Sequence, residues 1–254
     1  MIPRELIKKI RLIEVLTARL VDSRLAGQYH SVFKGRGIIF SDVRQYCPGD
    51  EVRTIDWNVS ARMSAPYVKQ FVEERELTVM LMVDMSASGT FASPAQSKRE
   101  VAAELAALVA FSAIKNNDRV GLILFTDSVE RFLPAKKGKR HVLRVIREIL
   151  TFSPGSRRTD IGAALDHLGR ISRQKAVVFL VSDFLATGWD RALRIAARRH
   201  DVVPVVITDP LEEAMPPLGL VTFEDLESGE LVEIDTGGSE RLEFAAQAVR
   251  LREE

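Results

Sequence analysis

Five oxygen-bearing side chains, spread over three segments of the chain, have types and spacing suited to holding a metal ion. Asp84, Ser86 and Ser88 alternate in one short polar segment, Thr159 lies in a second and Asp183 in a third. Hydroxyl and carboxylate oxygens without histidine or thiol select a hard cation, Mg²⁺ first and Mn²⁺ or Ca²⁺ next. With only two carboxylates in the set, such an ion would keep positive charge and an open position. We therefore expect a metal site that binds an acidic side chain of another protein.

Two of these polar segments come at the ends of predicted strands. The run LTVMLMVD (77–84) is apolar along most of its length, as in a strand buried on both faces, and it ends at the first polar segment. The run KAVVFLVSD (175–183) repeats this pattern, and Thr159 stands where a further helix begins. Ligands of open α/β sheets bind at the carboxyl ends of the strands. We expect the three polar segments to meet at that edge.

The rest of the chain alternates between strand and helix patterns. Strands are predicted at 67–73, 119–125, 128–133 and 202–208, and helices at 4–26, 141–150, 190–199 and 240–254. A capping box at 93–96 begins a helix that runs to about residue 116, and a hairpin is predicted over 219–235. The alternation predicts an α/β fold with a doubly wound, mostly parallel sheet. We divide the chain into an N-terminal helix with an arginine-rich β segment (1–76) and an α/β domain (77–254).

The arginine-rich segment interleaves charges with large apolar residues. Its notable members are Arg44, Asp50, Arg53, Asp56, Trp57 and Arg62. We interpret them mainly as arginine–carboxylate pairs that hold together a small layer with little core. The alternative is a docking surface, because mixtures of arginine and aromatic residues also mark protein interfaces.

Composition restricts the classes of partner and the compartment. The formal net charge of +1 gives no overall field that would attract nucleic acid or an anionic membrane. Cys47 is the only cysteine, which excludes an internal disulfide and a zinc site built from cysteines. No apolar run approaches the about 18 residues of a spanning helix, and the first residues lack the apolar core of a signal peptide. We expect a cytoplasmic protein without a transmembrane segment.

At the five oxygen-bearing residues the sequence resembles the von Willebrand factor A domain and its metal-ion-dependent adhesion site. The motif D-x-S-x-S is Asp84 to Ser88, followed by Thr159 and Asp183. The resemblance implies a Rossmann-like fold in which the serines and the threonine contact the metal, while the aspartates act largely through bound water. Taken singly, each residue has a simpler role as well: Thr159 could cap a helix, and the serines could satisfy backbone groups of the loop.

A second resemblance covers nearly the whole chain. The segments G-R-G (35–37), R-Q-Y-C-P-G-D-E-V-R-T-I-D-W (44–57) and A-R (61–62) are similar to the bacterial family of unknown function numbered fifty-eight. Members join this segment to a von Willebrand A-like domain, and many are encoded beside MoxR-type AAA ATPases. The resemblance implies a non-enzymatic, metal-dependent adaptor that works with such an ATPase in assembling or activating other proteins. The partner would be the ATPase or its client.

Two other functions stay open at this point. One is a metal-dependent hydrolase of phosphate esters that uses the same cation as a Lewis acid. The sequence shows neither a nucleophile–base pair nor a G-x-x-x-x-G-K-[ST] phosphate loop, which speaks against it. The other is a scaffold with an empty site. Metal binding would exclude the scaffold, and turnover of phosphate esters would identify the hydrolase.

Overall fold

The structure, a computed structural model, describes residues 4–20, 39–72, 76–90, 97–213, 216–226, 229–238 and 241. The chain forms two compact units, a smaller one at His30–Leu77 and a larger one that combines Met1–Tyr29 with Thr78–Glu254. The first helix therefore belongs to the larger unit, whereas the sequence-based division grouped it with residues up to 76. Ile13 of that helix is buried, and Glu14 forms an ion pair with Lys139 of the same unit.

The strands are β1 (Ile39–Gln45), β2 (Tyr67–Val72), β3 (Thr78–Asp84), β4 (Arg119–Phe125), β5 (Val129–Lys136), β6 (Val177–Ser182), β7 (Asp201–Val206), β8 (Leu220–Glu224) and β9 (Leu231–Asp235). The helices are α1 (Arg4–Leu20), α2 (Trp57–Met63), α3 (Lys98–Lys115), α4 (Lys139–Thr151), α5 (Ile161–Ile171), α6 (Asp190–Arg199) and α7 (Pro210–Glu213). The prediction of a mixed α/β fold with a mostly parallel central sheet is confirmed.

The prediction of a β segment for the arginine-rich part of residues 1–76 is wrong at α2, which is a helix. Asp56 caps this helix, and its carboxylate accepts hydrogen bonds from the backbone N–H groups of Asn58 and Val59. Ser64 ends it in a left-handed conformation with φ 55°. A capping aspartate outweighs the turn-rich composition around it. The predicted capping box at 93–96, and the final helix at 240–254 apart from residue 241, lie outside the described residues.

The central sheet of the larger unit has the strand order β5-β4-β3-β6-β7. Strand β3 pairs in parallel with both β4 and β6, and β5 pairs antiparallel with β4 at one edge. Residues 79–83 are all buried, because successive side chains point to opposite faces and helices pack against the sheet. One face of the core combines Met82, Phe125 and Leu180 with Leu165 of α5.

The order of the strands decides where a ligand can bind. The connection that leaves β3 leads to β4 on one side of the sheet, and the connection that leaves β6 leads to β7 on the other side. These two connections diverge, which opens a crevice at the carboxyl ends of β3 and β6. Asp84 ends β3 and Asp183 directly follows β6, so both predicted aspartates lie at this crevice.

Candidate functional site

Asp84 is fixed by two hydrogen bonds at the crevice between β3 and β6. Its Oδ1 accepts from the backbone N–H of Ser86 at 2.9 Å, which shapes the polar loop. Its Oδ2 accepts from the hydroxyl of Ser182, the last residue of β6, at 2.7 Å. Burial raises the pKa of Asp84, and these hydrogen bonds oppose that rise because they favour the ionised carboxylate. Asp84 therefore joins the two strand ends.

The two serines of the motif present their hydroxyls side by side. The Oγ atoms of Ser86 and Ser88 are 3.0 Å apart and share a hydrogen bond. Both residues line a cavity of about 20 Å³, which is room for one water molecule or one small ion. Asp84, Ser182 and Asp183 also line this cavity. Four of the five predicted site residues thus surround one small space.

Asp183 is held from two sides. Its Oδ1 accepts from the backbone N–H of Leu185 at 3.3 Å, and its Oδ2 accepts from Lys98 Nζ at the same distance. Lys98 begins α3 and also forms an ion pair with Glu212 of α7. The lysine side chain is only 5% exposed. One buried ammonium group therefore connects the segments that follow β6 and β7 to the start of α3.

Thr159, the fifth predicted residue, is half-buried and is not among the residues that line this cavity. Its loop nevertheless lies beside the serine loop, since the backbone N–H of Ala87 donates to the carbonyl of Arg157 at 3.0 Å. Glu130 anchors the start of the same loop, because its Oε1 accepts from the N–H groups of Gly155 (2.8 Å) and Ser156 (3.2 Å). The structure brings the loop of Thr159 to the site.

The donors in this cavity fit a hard cation in spacing. Two neighbouring ligands of an octahedral Mg²⁺ are about 2.8–3.0 Å apart, which is also the separation of the Ser86 and Ser88 hydroxyls. Within the described part of the chain, no three His, Cys, Asp or Glu side chains converge on a common point. An ion held in this cavity would therefore take its direct contacts from hydroxyl groups.

Charged side chains of both signs line the cavity. Asp84 and Asp183 lie there with Lys98 and Arg99, and Lys98 also pairs with Glu212. The guanidinium of Arg99 donates to the carbonyl of Phe152 at 3.0 Å, and burial lowers its pKa. The two cations thus offset part of the negative charge that a divalent ion at the serine hydroxyls would meet. The oxygen donors around the cavity are of the kind that Mg²⁺ and Mn²⁺ prefer.

Sequence reasoning missed three residues of this site: Ser182, Lys98 and Glu212. Ser182 precedes Asp183 in the V-S-D end of the strand pattern, so the sequence indicated that it lies at the sheet edge. The sequence did not indicate its hydrogen bond to Asp84. Lys98 lies 85 residues from Asp183 in sequence, and an ordinary helix sequence surrounds it. No local pattern could have identified this contact.

A wider cleft of about 280 Å³ adjoins the cavity and shares Ser88 and Asp183 with it. Glu212 and Asp225 add carboxylates to its lining, and Leu185, Ala186 and Leu226 add apolar surface. The cleft is large enough to admit a side chain from outside the protein. Its carboxylates favour a cation and disfavour an incoming acid.

The residues of the smaller unit form local contacts. Both terminal nitrogens of Arg44 bond the carboxylate of Asp50, at 2.7 and 2.6 Å, in a bidentate pair of the predicted kind. This pair, with the N–H of Cys47, lowers the pKa of Asp50 to about 2. Trp57 is 68% exposed and is not a core residue. Arg53 and Arg62 are exposed as well.

Comparison with known proteins gives one family. A family profile described as "Protein of unknown function DUF58" matches residues 42–254. The uncharacterized protein Rv1480 of Mycobacterium tuberculosis is 34% identical over 246 residues, which cover 96% of this chain and 78% of that protein. The uncharacterized protein YeaD of Bacillus subtilis is 28% identical over 44% of this chain and 26% of its own length.

Solved structures with a similar chain path share less sequence. One is an aerotolerance-related membrane protein from Bacteroides fragilis, with a TM-score of 0.48 and 20% identity over 68% of this chain and 88% of that one. Another is the conserved hypothetical protein BatB from Bacteroides thetaiotaomicron, also with a TM-score of 0.48, and 19% identity over 68% of this chain and 87% of that one. Among the described residues of the present chain, no helix is long and apolar enough to cross a membrane.

Proposed function

The chain belongs to the DUF58 family of proteins of unknown function, and we propose that it is a non-enzymatic, metal-dependent protein-binding adaptor. In this proposal the larger unit is a von Willebrand A-like domain with a metal-ion-dependent adhesion site. Ser86, Ser88 and Thr159 contact Mg²⁺, or Mn²⁺ or Ca²⁺ in its place, while Asp84 and Asp183 act around the ion. A Glu or Asp of the partner protein completes the site.

One observation carries the proposal: two neutral hydroxyls 3.0 Å apart lie in a cavity at the crevice between β3 and β6. Neutral ligands leave the charge of a divalent ion available for an outside carboxylate. The acidic cleft beside them gives such a carboxylate a way in but repels it when no cation is bound. Binding of an acidic partner side chain should therefore require the ion.

The partner in this proposal is a MoxR-type AAA ATPase or a client of that ATPase. Its basis is the resemblance of the motif segments to proteins encoded beside such ATPases. The adaptor would link the ATPase to the proteins that it assembles or activates. The cytoplasmic location expected from the sequence is part of the same proposal.

The first test measures the ion alone. Isothermal titration of metal-stripped protein with MgCl₂ and MnCl₂ should give a modest affinity that Ser86→Ala and Ser88→Ala abolish. The direct contacts come from few protein groups, and magnesium sheds its water reluctantly, so tight binding is not expected. Absence of heat with both ions in the wild-type protein would refute the metal site.

The second test measures the partner. A MoxR-type ATPase from the same organism should be retained by the immobilised chain with Mg²⁺ and released by chelator. Asp84→Ala should release it as well, while Asp166→Ala, which removes an exposed carboxylate of α5 outside the site, should not. Equal recovery in all samples would mean that the site is not the contact. Turnover of a generic phosphate ester would instead favour a hydrolase.

A further inference from the structure

Lys98 is a buried charged residue that the proposed function does not yet use. Its side chain is 5% exposed, and it contacts Asp183 Oδ2 at 3.3 Å and the Glu212 carboxylate. A lysine is rarely buried to this degree unless carboxylates surround it. The first turn of α3 is also an unfavourable place for a cation, because the helix dipole is positive there. The two carboxylates must therefore hold it in place.

The two partners of Lys98 come from different parts of the sheet edge. Asp183 follows β6, and Glu212 belongs to α7, which follows β7. The second oxygen of Glu212 accepts from the N–H of Asp209 at 3.2 Å, in a capping box that holds α7. The second oxygen of Asp183 accepts from Leu185 N–H. All four carboxylate oxygens are thus engaged within the protein.

Resting on the metal-dependent function proposed above, we propose that Lys98 is a positioning residue that acts as the resident cation of this site. Its ammonium supplies from within the chain the charge that Asp183 and Glu212 need. The loops at the carboxyl edge therefore keep their arrangement before a divalent ion binds. The same ammonium lowers the affinity for that ion, because it places a positive charge beside the serine hydroxyls.

The direction of the change in metal affinity distinguishes this electrostatic role from a purely structural one. Lys98→Met keeps an unbranched apolar side chain, one atom shorter, but removes the charge. The variant should melt at a lower temperature in chelator, because two carboxylates that are 7% and 22% exposed lose their cation. It should also bind Mn²⁺ tighter than the wild type, by roughly tenfold or more. A change that only loosened the fold would weaken metal binding instead.

Three further variants complete the experiment. Lys98→Arg keeps the charge and should restore the wild-type affinity and most of the stability. Lys8→Met, at an exposed position of α1, should match the wild type in both measurements. Glu212→Gln should weaken Mn²⁺ binding although Glu212 is not a ligand, because the ammonium then compensates Asp183 alone. Titration calorimetry and thermal melts of the full chain provide both readouts.

The outcomes separate this inference from the proposed function. If the wild type binds Mn²⁺ and Lys98→Met binds it no tighter, the inference is overturned and the metal-dependent function stands. If only Lys98→Met binds Mn²⁺, the inference holds and metal dependence of the natural protein is refuted. Absence of binding in both overturns both. If Lys98→Met does not fold in chelator, Glu212→Gln decides, and an unchanged affinity in that variant overturns the inference.

Discussion

The hydrogen bond from Ser182 to Asp84 should be a main source of order at the carboxyl edge of the sheet. The Ser182 hydroxyl, in a residue that is 4% exposed, donates to the partly buried carboxylate of Asp84 at 2.7 Å and accepts from the N–H of Phe184 at 3.2 Å. Replacement by alanine removes one atom and leaves both groups without this partner. A hydrogen bond to a charged group contributes about 1.5–3 kcal/mol. We therefore expect Ser182→Ala to lower the free energy of unfolding by about 2–3 kcal/mol.

The chain offers a matched control for this change. Ser112 is 3% exposed, and its hydroxyl has no hydrogen-bond partner among the residues that the structure describes. Ser112→Ala removes the same atom from a buried site, but no hydrogen bond is lost. Because alanine is also the better helix former, by up to about 0.5 kcal/mol, this variant should be as stable as the wild type or slightly more stable.

Thermal and urea unfolding of both variants measure the difference. A loss of 2–3 kcal/mol corresponds to a shift in Tm of about 4–12 °C for a unit of this size. In an Asp84→Asn background, Ser182→Ala should cost only about 1 kcal/mol, as expected for a neutral hydrogen bond. Equal effects of Ser182→Ala and Ser112→Ala would show that the bond to Asp84 does not stabilise this edge.

Two further predictions concern stability elsewhere. Asp56→Ala should destabilise the smaller unit by about 1 kcal/mol through loss of the α2 cap. Asp56→Asn keeps the capping oxygen and should cost only a few tenths of a kcal/mol. Equal losses of the two variants in urea unfolding would contradict the capping role. His200 is buried, burial lowers its pKa, and its Nδ1 accepts from Ala176 N–H at 3.2 Å. Its contribution to stability is therefore fully present above the unfolded pKa of about 6.5 and is lost as the pH falls through that value towards the lower folded pKa. The loss of unfolding free energy between about pH 7.5 and about pH 5.5 should be smaller in His200→Gln, and an identical loss would contradict this assignment.

The sequence was sufficient to predict the central sheet, because parallel strands that are buried on both faces have a simple sequence pattern. The runs at β3, β4 and β6 are continuous and apolar, and no helix pattern competes with them. The same pattern shows the positions of the aspartates, because the apolar runs of β3 and β6 stop at Asp84 and Asp183. Their convergence needs only the rule that parallel strands share one carboxyl edge.

The sequence did not predict features that depend on a single capping side chain or on a contact between residues distant in the chain. Helix α2 depends on one capping carboxylate, Asp56, within a segment that is otherwise typical of turns. Trp57 was interpreted with the apolar layer, but as the first residue of that helix it is exposed. The Lys98–Asp183 contact joins residues that no periodicity relates. Composition and spacing carry no information about such pairs.

The pairing within the chain also explains how a site with few charged ligands could act as a switch. Asp84 is held by Ser182, and Asp183 is held by Lys98, so neither aspartate depends on a metal for its position. In the proposed function the direct donors to the ion are neutral hydroxyls, which leave its charge available to a partner. Without the ion, the carboxylates of Asp183, Glu212 and Asp225 line the adjoining cleft. Lys98 offsets part of their charge, and the remainder disfavours an acidic side chain. With the ion, the mouth of the same cleft becomes attractive to that side chain. A preformed site of this kind changes its preference for a partner through one bound charge, without a rearrangement of the fold.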